Sequence, residues 1–192
     1  MGWFPMHDEG DGLQLYRSHE RALLPLDGSL HIPRSLRPSL RAGTFHLSLN
    51  RDFETVLFGC ADRPRTWISP ELHTIYHRLH ADGLAHSVEA WDGGGLAAGM
   101  LCIGIGACWI GESMFHRRPQ AGNVLLVELA RALGRGGFDL FDVQINNTHL
   151  ERFGCRSISD AVYGRRLAEA CRRPATLSLQ GDLVSSEPWM AG

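Results

Sequence analysis

Hydrophobic residues recur along the chain at two spacings, and each spacing predicts a different element. At 45–49 they stand at every second position, which is the period of a half-buried strand. After Ser69-Pro70 they recur every three or four positions, which predicts a helix that begins at this proline. The same reasoning predicts strands at 44–49, 85–91, 96–105, 107–115, 138–145 and 155–158, and helices at 50–61, 69–83, 122–135, 148–153 and 159–172.

The order of these elements predicts the fold class and the division into domains. Helices alternate with the strands of one mainly central sheet, which indicates an α/β or α+β fold with three layers. Residues 1–42 contain several prolines and a charged stretch, and we expect them to be irregular. We therefore predict an N-terminal segment at 1–42, a main domain at 43–174 and a tail at 175–192 that has no clear period.

Composition and charge narrow the classes of function. The chain has 192 residues, of which 44% are hydrophobic and 21% charged, so it can bury a core of its own. The apolar run at 96–110 contains glycines and is too short to cross a membrane, and residues 1–5 do not resemble a secretory signal. The net charge of −2 predicts no general attraction to nucleic acid, and no DNA partner is expected. All 19 side-chain cations are arginines, which suit phosphate groups.

Residue types that bind metals do not form a recognisable motif. The five cysteines include no CxxC pair, which favours free thiols in a reducing cytoplasm. His73, His77 and His80 share a predicted helix, and the first two could chelate a metal from one face. No glutamate follows His73 to complete an HExxH motif, and no second motif offers a partner. We therefore expect a solvated or ring-stacked face and no metal ion.

Charged and amide side chains interrupt two of the predicted strands. Glu112 stands within an apolar run, so either the strand ends there or Glu112 faces a pocket. Asp142 and Gln144 share one face of the strand at 138–145 if that strand alternates. Such groups on a central strand must be hydrogen-bonded or functional, and a purely structural network remains the alternative. Clusters of arginine at 34–41, 117–118 and 150–173 suit either an RNA end or a solvated surface.

Taken together, these motifs resemble the leucyl/phenylalanyl-tRNA–protein transferase family. The resemblance is carried by Trp67-Ile68, Ala85-His86-Ser87-Val88-Glu89, Gly99-Met100, Gly111-Glu112-Ser113-Met114-Phe115, Gly136-Gly137, Asp142-Val143-Gln144 and, near the start, Gly2-Trp3-Phe4-Pro5-Met6. It implies an α+β fold of the acetyltransferase (GNAT) type, a mixed central sheet flanked by helices, with a shortened N-terminal segment. It also implies transfer of Leu, Phe or Met from aminoacyl-tRNA to proteins that begin with Arg or Lys, as a degradation signal in the bacterial cytoplasm.

The resemblance also implies roles for individual residues. We expect Asp142 to orient the attacking amine, Gln144 to hydrogen-bond the amine or the ester oxygen, and Glu112 to hold Gln144 or the acceptor's cation. We expect Trp67 to stack on the terminal adenine. The aminoacyl pocket is expected at Met100, Trp109, Gly111, Met114, Leu126, Leu129 and Phe141, and contacts to the acceptor stem at Arg117, Arg118, Arg165 and Arg166. Because the tRNA ester is already activated, no ATP, metal or coenzyme A is expected.

Three departures from the family pattern concern tRNA more than chemistry. The chain starts almost at Gly2-Trp3-Phe4-Pro5, Met6 stands where many members have tryptophan, and Gly122-Asn123 stands where the family often has Ser-Lys. We therefore expect weak tRNA binding that is focused on the acceptor end.

Two other functions compete with the transferase hypothesis. An acyl-coenzyme A N-acyltransferase would need a pyrophosphate loop, and 117–123 lacks its second glycine. A non-catalytic tRNA-end binder would have no need of the set Glu112, Asp142 and Gln144.

Overall fold

The computed structural model describes the backbone of residues 3–8, 12–179 and 182–186, and the side chains of residues 12 and 14–179. The strands are β1 (Trp3–Asp8), β2 (Gly12–Arg17), β3 (Glu20–Leu24), β4 (His46–Leu49), β5 (Ala85–Asp92), β6 (Gly95–Ile105), β7 (Cys108–His116), β8 (Leu140–Gln144), β9 (Arg156–Ser159), β10 (Ala175–Leu179) and β11 (Asp182–Ser186). The helices are α1 (Arg37–Ala42), α2 (Phe53–Ala61), α3 (Pro70–Ala81), α4 (Ala121–Arg135), α5 (Thr148–Glu151) and α6 (Asp160–Ala170).

A mixed sheet of seven strands forms the centre of the fold, in the order β4-β5-β6-β7-β8-β3-β9. All neighbours are antiparallel except β7 and β8, which are parallel. Parallel neighbours need a long crossover connection, and α4 provides it between these two strands. This arrangement confirms the predicted α+β class with a mixed central sheet.

Helices cover both faces of the sheet. Along β6, Leu101 packs in one apolar cluster with residues of α2 and α3, while its neighbours Met100 and Cys102 pack in another with residues of α4. Successive side chains of a strand point to opposite faces, so the two clusters lie on opposite sides of the sheet. The predicted three layers are therefore present.

The N-terminal prediction of irregular structure is wrong. β1 and β2 form a hairpin, and β3 is inserted in the main sheet between β8 and β9. β3 escapes a pattern-based prediction because its buried apolar run, Ala22–Leu24, is short and leads into Pro25. The proposed boundary at residue 42 therefore does not coincide with an edge of the sheet. Of the Gly2–Met6 motif, the side chains lie outside the described residues.

Two smaller expectations also need correction. The tail is not without period, because Ala175, Leu177 and Leu179 are buried in alternation on β10, which pairs with β11. The tail beyond residue 186 lies outside the described residues. The helix predicted at 50–61 begins later, at Phe53, where Asp52 caps it by accepting a hydrogen bond from the Thr55 amide. Asn50 instead has φ of 58°, and its side chain accepts from the Ser87 amide.

No helix in the described residues is both long and apolar enough to cross a bilayer. The five cysteines are free thiols, and all except Cys171 are buried.

Candidate active site

The strands β7 and β8 separate near the middle of the sheet. Their parallel pairing covers only three positions, and the last of them places Ile110 opposite Asp142. Both strands continue past this point, β7 to His116 and β8 to Gln144, without pairing with each other. We call the region past this last pair the β7–β8 opening; here Glu112 of β7 and Gln144 of β8 contact each other through their side chains without backbone pairing of the strands.

Each of the two strands carries a β-bulge at this opening. The pairing of β7 with β6 skips Glu112, and the pairing of β8 with β3 skips Val143. Gln144 has φ of 64°, in the left-handed region that non-glycine residues seldom adopt. Bulges turn side chains away from the regular alternation and are common beside active sites. Glu112 and Gln144 are therefore aimed by local backbone irregularities and not by the pleat of the sheet.

Gln144 is held by hydrogen bonds at both its backbone and its side chain. Its amide Nε2 donates to Oε2 of Glu112 at 2.8 Å, across the β7–β8 opening. Its backbone N–H donates to Oδ1 of Asp142 at 2.7 Å. The contact between Glu112 and Gln144 is one of the two that the sequence led us to expect for Glu112. These two bonds fix both the backbone and the carboxamide of Gln144.

Asp142 is completely buried, and it is paired with a buried arginine. Its side chain is 0% exposed, and Oδ2 accepts hydrogen bonds from Arg21 Nε at 3.1 Å, from Arg21 Nη2 and from the Tyr163 hydroxyl at 2.6 Å. Burial lowers the pKa of Arg21, but the neighbouring carboxylate outweighs it and raises the pKa overall, so Arg21 is a cation. Asp142, which we expected to orient the attacking amine, has no exposed surface through which it could touch a substrate in this structure. Asp142 instead fixes the backbone of Gln144.

Glu112 is the titratable group of the site. Burial raises its pKa to about 7, and the Asp142 carboxylate adds to this, while the Gln144 hydrogen bond and the Arg21 cation oppose it. The Tyr76 hydroxyl also lies close enough to lower the pKa of Glu112, although it has no hydrogen-bond partner among the described residues. A carboxyl group with a pKa near 7 can exchange protons at cellular pH.

Apolar side chains gather around Gly111, the residue before Glu112. Met100 and Met114 stand directly opposite each other on β6 and β7, and Met114 is half-buried. A methyl group built on Gly111 would lie 3.4 Å from Met100 Sδ and 3.7 Å from Phe141 Cε2. Met114 Cε lies 3.4 Å from the position of such a methyl on Gly122, at the start of α4. The structure thus brings together four of the predicted pocket residues: Met100, Gly111, Met114 and Phe141.

The other three predicted pocket residues lie deeper. Trp109 is fully buried, with its ring stacked on His86 at 5.1 Å and set edge-on to Phe138 at 5.6 Å. Leu126 and Leu129 of α4 are buried in the same cluster. These three residues are therefore core residues, each at most 1% exposed.

The predicted tRNA contacts divide into two groups. Trp67 is half-buried and packs edge-on against Tyr76 at 6.3 Å. Arg117 and Arg118 are exposed just beyond the end of β7. Arg166, by contrast, donates to the carbonyl of Asp139. Asp139 directly precedes the first residue of β8, whereas Gln144 is the last residue of that strand. Arg165 is exposed beside it on α6, so the structure does not bring this pair to the opening.

Four residues of the site were not expected from the sequence. Arg63, in the loop between α2 and α3, donates to Ser113 Oγ at 3.0 Å and to the Met114 carbonyl at 2.7 Å. No spacing marks it, because it reads as one of many surface arginines. Tyr76 and Tyr163 read as ordinary apolar positions of helices. For Arg21 a signal exists, since it is a charge directly before a buried apolar run.

A separate groove contributes cationic surface. Arg37 and Arg41 of α1 and Arg131 of α4 line a groove of about 630 Å³ that includes none of the residues of the opening. Arg37 and Arg41 belong to the arginine cluster at 34–41 noted in the sequence.

Comparison with known proteins decides the family. Residues 23–168 match the family described as leucyl/phenylalanyl-tRNA protein transferase. The chain belongs to this family. A relative named leucyl/phenylalanyl-tRNA–protein transferase from Thermosynechococcus vestitus is 49% identical over 90% of this chain and 88% of its own length. One of the same name from Rubrobacter xylanophilus is 48% identical over 89% of this chain and 90% of its own length.

Membership of this family makes the protein an aminoacyltransferase. The matched region contains Glu112, Asp142 and Gln144 but begins after Arg21. Among solved structures, a GNAT family acetyltransferase from Brucella melitensis, in complex with acetyl-CoA, matches with a TM-score of 0.48 and 16% identity over 73% of this chain and 94% of its own.

Proposed function

We propose that this aminoacyltransferase moves leucine, phenylalanine or methionine from aminoacyl-tRNA to the α-amine of proteins that begin with Arg or Lys. The reaction takes place in the cytoplasm, and the added residue marks the acceptor for degradation. The observation that carries this proposal is the hydrogen bond between Glu112 and Gln144, at the stretch of β7 where Met114 stands opposite Met100 of β6. The family membership supplies the chemistry that such a site serves.

The reaction is aminolysis of an ester. The α-amine nitrogen attacks the ester carbonyl carbon and forms the new peptide bond, and the bond from this carbon to the terminal ribose oxygen breaks. The amine loses one proton, and the ribose oxygen gains one. The unperturbed pKa of an α-amine is about 7.7–8.0, so a useful fraction is neutral at cellular pH. Orientation of the reactants can contribute up to about 7–11 kcal/mol, which makes positioning the main task of the site.

Gln144 and Glu112 divide this task. The carboxamide of Gln144 is fixed through its Nε2, so its carbonyl oxygen serves as acceptor for an N–H of the attacking amine. Glu112, with a pKa of about 7, takes up the proton that the amine releases. Asp142, with Arg21 and Tyr163 bound to it, keeps the backbone of Gln144 in place. Asp142 is therefore a positioning residue in this mechanism.

The same residues account for substrate selection. The methionines at the opening are flexible side chains that can fit Leu, Met and Phe alike. Since single methylene groups change binding by only about 1–3 kcal/mol, shape must exclude β-branched donors. On the acceptor side, Arg21 balances the charge of Asp142, so ionised Glu112 leaves a net negative charge at the opening. That charge favours an acceptor whose first residue is Arg or Lys.

Binding of tRNA is assigned to residues around the opening and in the groove. Trp67 stacks on the terminal adenine, and Arg63, Arg117 and Arg118 contact phosphates of the acceptor end. The groove lined by Arg37, Arg41 and Arg131 offers a further surface to the phosphate backbone. No cofactor enters the mechanism, because the ester bond of aminoacyl-tRNA is already activated.

A transfer assay with defined donors and acceptors tests the proposal. The protein is incubated with radiolabelled Leu-, Phe-, Met- or Arg-tRNA and with peptides that begin with Arg, Lys, Glu or Ala. We expect label from the first three donors on the Arg and Lys peptides only. Equal labelling of all four peptides would contradict the acceptor assignment. Labelled acetyl-CoA in place of tRNA tests the acyl-coenzyme A alternative, and binding of tRNA without transfer would support the non-catalytic one.

A further inference from the structure

A second group of chemically capable side chains lies on the surface of α2 and α3. It consists of Glu54 from α2 and of His73 and His77, which are one helical turn apart on α3. Glu54 is 62% exposed, and the two histidines are 30% and 44% exposed. None of these residues has a role in the proposed transfer reaction. The side chain of α3 that lies near Glu112 is that of Tyr76.

The three side chains converge on one point. Glu54 Oε2 lies 2.7 Å from His77 Nε2, and Glu54 Oε1 lies 3.8 Å from His73 Nε2. One potential ligand atom from each residue falls within 4.8 Å of the others. The rings of His73 and His77 are 4.9 Å apart. Both rings present Nε2 to the Glu54 carboxylate.

Neighbouring contacts restrict this group to three members. The ring of His80 stacks on Phe53 at 3.9 Å, and its Nδ1 is 2.9 Å from the carbonyl of Ala85. His80 is therefore engaged elsewhere, although it lies on the same helix. Phe53 also touches His77 edge-on at 5.7 Å, which limits the orientations of that ring.

We propose that Glu54, His73 and His77 form a surface site for a divalent transition-metal ion such as Zn²⁺. Two imidazoles and one carboxylate are a common ligand set for zinc, with bonds of about 2.0–2.2 Å. Tetrahedral bonds of that length place ligand atoms about 3.3 Å apart, and the two distances to Glu54 lie on either side of this value. Water would occupy the fourth position, because the site is open to solvent.

The sequence led us to expect no metal ion, because no second motif offered a partner to the histidine pair. Glu54 is that partner, and it comes from a different helix. A bound ion would join α2 to α3, and the loop between these helices carries Arg63 and Trp67. We therefore expect the ion to stabilise the arrangement of this loop.

Zinc binding by the metal-free protein tests the site directly. Titration calorimetry with ZnCl₂ should show one equivalent bound, and Co²⁺ should give a visible absorption spectrum typical of four or five nitrogen and oxygen ligands. The double variant His73→Ala/His77→Ala and the single variant Glu54→Gln should each weaken zinc binding at least about tenfold. His46→Ala is the matched control, because it removes an exposed histidine of β4 and should leave binding unchanged.

Thermal unfolding provides a second measurement that does not depend on calorimetry. Zinc should raise the unfolding temperature of the wild type and of His46→Ala, because a ligand that binds only the folded state stabilises it. It should not raise that of the double variant. Three results would each overturn the proposal. They are equal zinc affinity in the wild type and the double variant, full zinc affinity in Glu54→Gln, and no zinc binding by the wild type at about 0.1 mM ZnCl₂.

Discussion

The Nε2 of Gln144 donates to Oε2 of Glu112 at 2.8 Å, and this bond spans two neighbouring strands that no longer pair with each other. Each residue reaches the bond through a break in its strand, a bulge at Glu112 and a left-handed backbone at Gln144. Regular strands would place these side chains by the alternation of the sheet. The bond therefore depends on local distortion, and the cost of that distortion is a reason to assign it to function.

The stability of the protein should depend on the ionisation of Glu112. Its pKa rises from about 4.3 in the unfolded chain to about 7 in the folded protein. The folded state therefore binds more protons between these values, and this group's contribution to stability is lost as the pH rises through 7. Glu112→Gln carries no such charge and still offers Gln144 an oxygen. The free energy of unfolding of the variant minus that of the wild type should therefore increase by on the order of 2 kcal/mol from pH 5 to pH 8.

Urea unfolding of both proteins at the two pH values measures this difference. If the difference in free energy of unfolding between the two proteins were the same at pH 5 and at pH 8, Glu112 would not titrate in this range.

Acceptor selection should follow the same ionisation. The ratio of kcat/KM for a peptide that begins with Arg to that for one that begins with Ala should rise at least about fivefold from pH 6 to pH 8, as Glu112 becomes charged. Ionisation of the α-amine affects both peptides alike, so it nearly cancels in the ratio. In Glu112→Gln the ratio should stay constant with pH. A wild-type ratio that does not change would remove Glu112 from acceptor recognition.

The limits of sequence reasoning are visible in the same residues. The β5–β6 hairpin, α3 and α4 were predicted well, because their hydrophobic spacing and end residues are local signals. The pairing of Arg21 with Asp142 joins residues 121 positions apart, and no local pattern reports it. Nor does any pattern report a bulge, which shifts Glu112 off the alternation that a prediction assumes. The contact between Glu112 and Gln144 was therefore predictable, but the burial of Asp142 was not.

Asp142→Asn should affect both stability and turnover. Loss of the carboxylate leaves Arg21 as an uncompensated buried cation, so we expect a destabilisation of about 3 kcal/mol. At a low temperature where the variant is folded, kcat should fall at least about tenfold, with little change in KM for aminoacyl-tRNA, because Gln144 loses its anchor. Unfolding curves measure the stability. Initial rates at about 10 °C, where many proteins are near their maximum stability, measure the turnover.

Two further variants make this result interpretable. Asp139→Asn removes an exposed ion pair with Arg173 and should cost less than about 1 kcal/mol. The double variant Arg21→Met/Asp142→Asn should lose less stability than the two single changes together. Normal turnover of folded Asp142→Asn would mean that the residue supports the fold only.

The arginines should divide by position in their effect on tRNA. Arg63→Ala and Arg117→Ala remove cations beside the opening, so each should weaken aminoacyl-tRNA binding and lower the slope of log affinity against log salt by about 1. Arg166→Ala removes a cation bound to the Asp139 carbonyl and should leave both unchanged. Binding assays at several salt concentrations measure these slopes. A larger loss in Arg166→Ala than in Arg63→Ala would place the acceptor end on α6.

Gln144 offers a way to separate backbone strain from chemistry. At its φ of 64°, glycine and asparagine are tolerated, whereas alanine costs about 1 kcal/mol more than glycine. Gln144→Gly and Gln144→Asn should therefore be more stable than Gln144→Ala in urea unfolding. All three should lose turnover to a similar degree, because glycine and alanine have no carboxamide and that of asparagine is too short to reach Glu112. The opposite outcome is that turnover follows stability: Gln144→Gly and Gln144→Asn keep near wild-type rates, and only Gln144→Ala fails. In that case the reaction requires the backbone conformation at residue 144 and not the carboxamide.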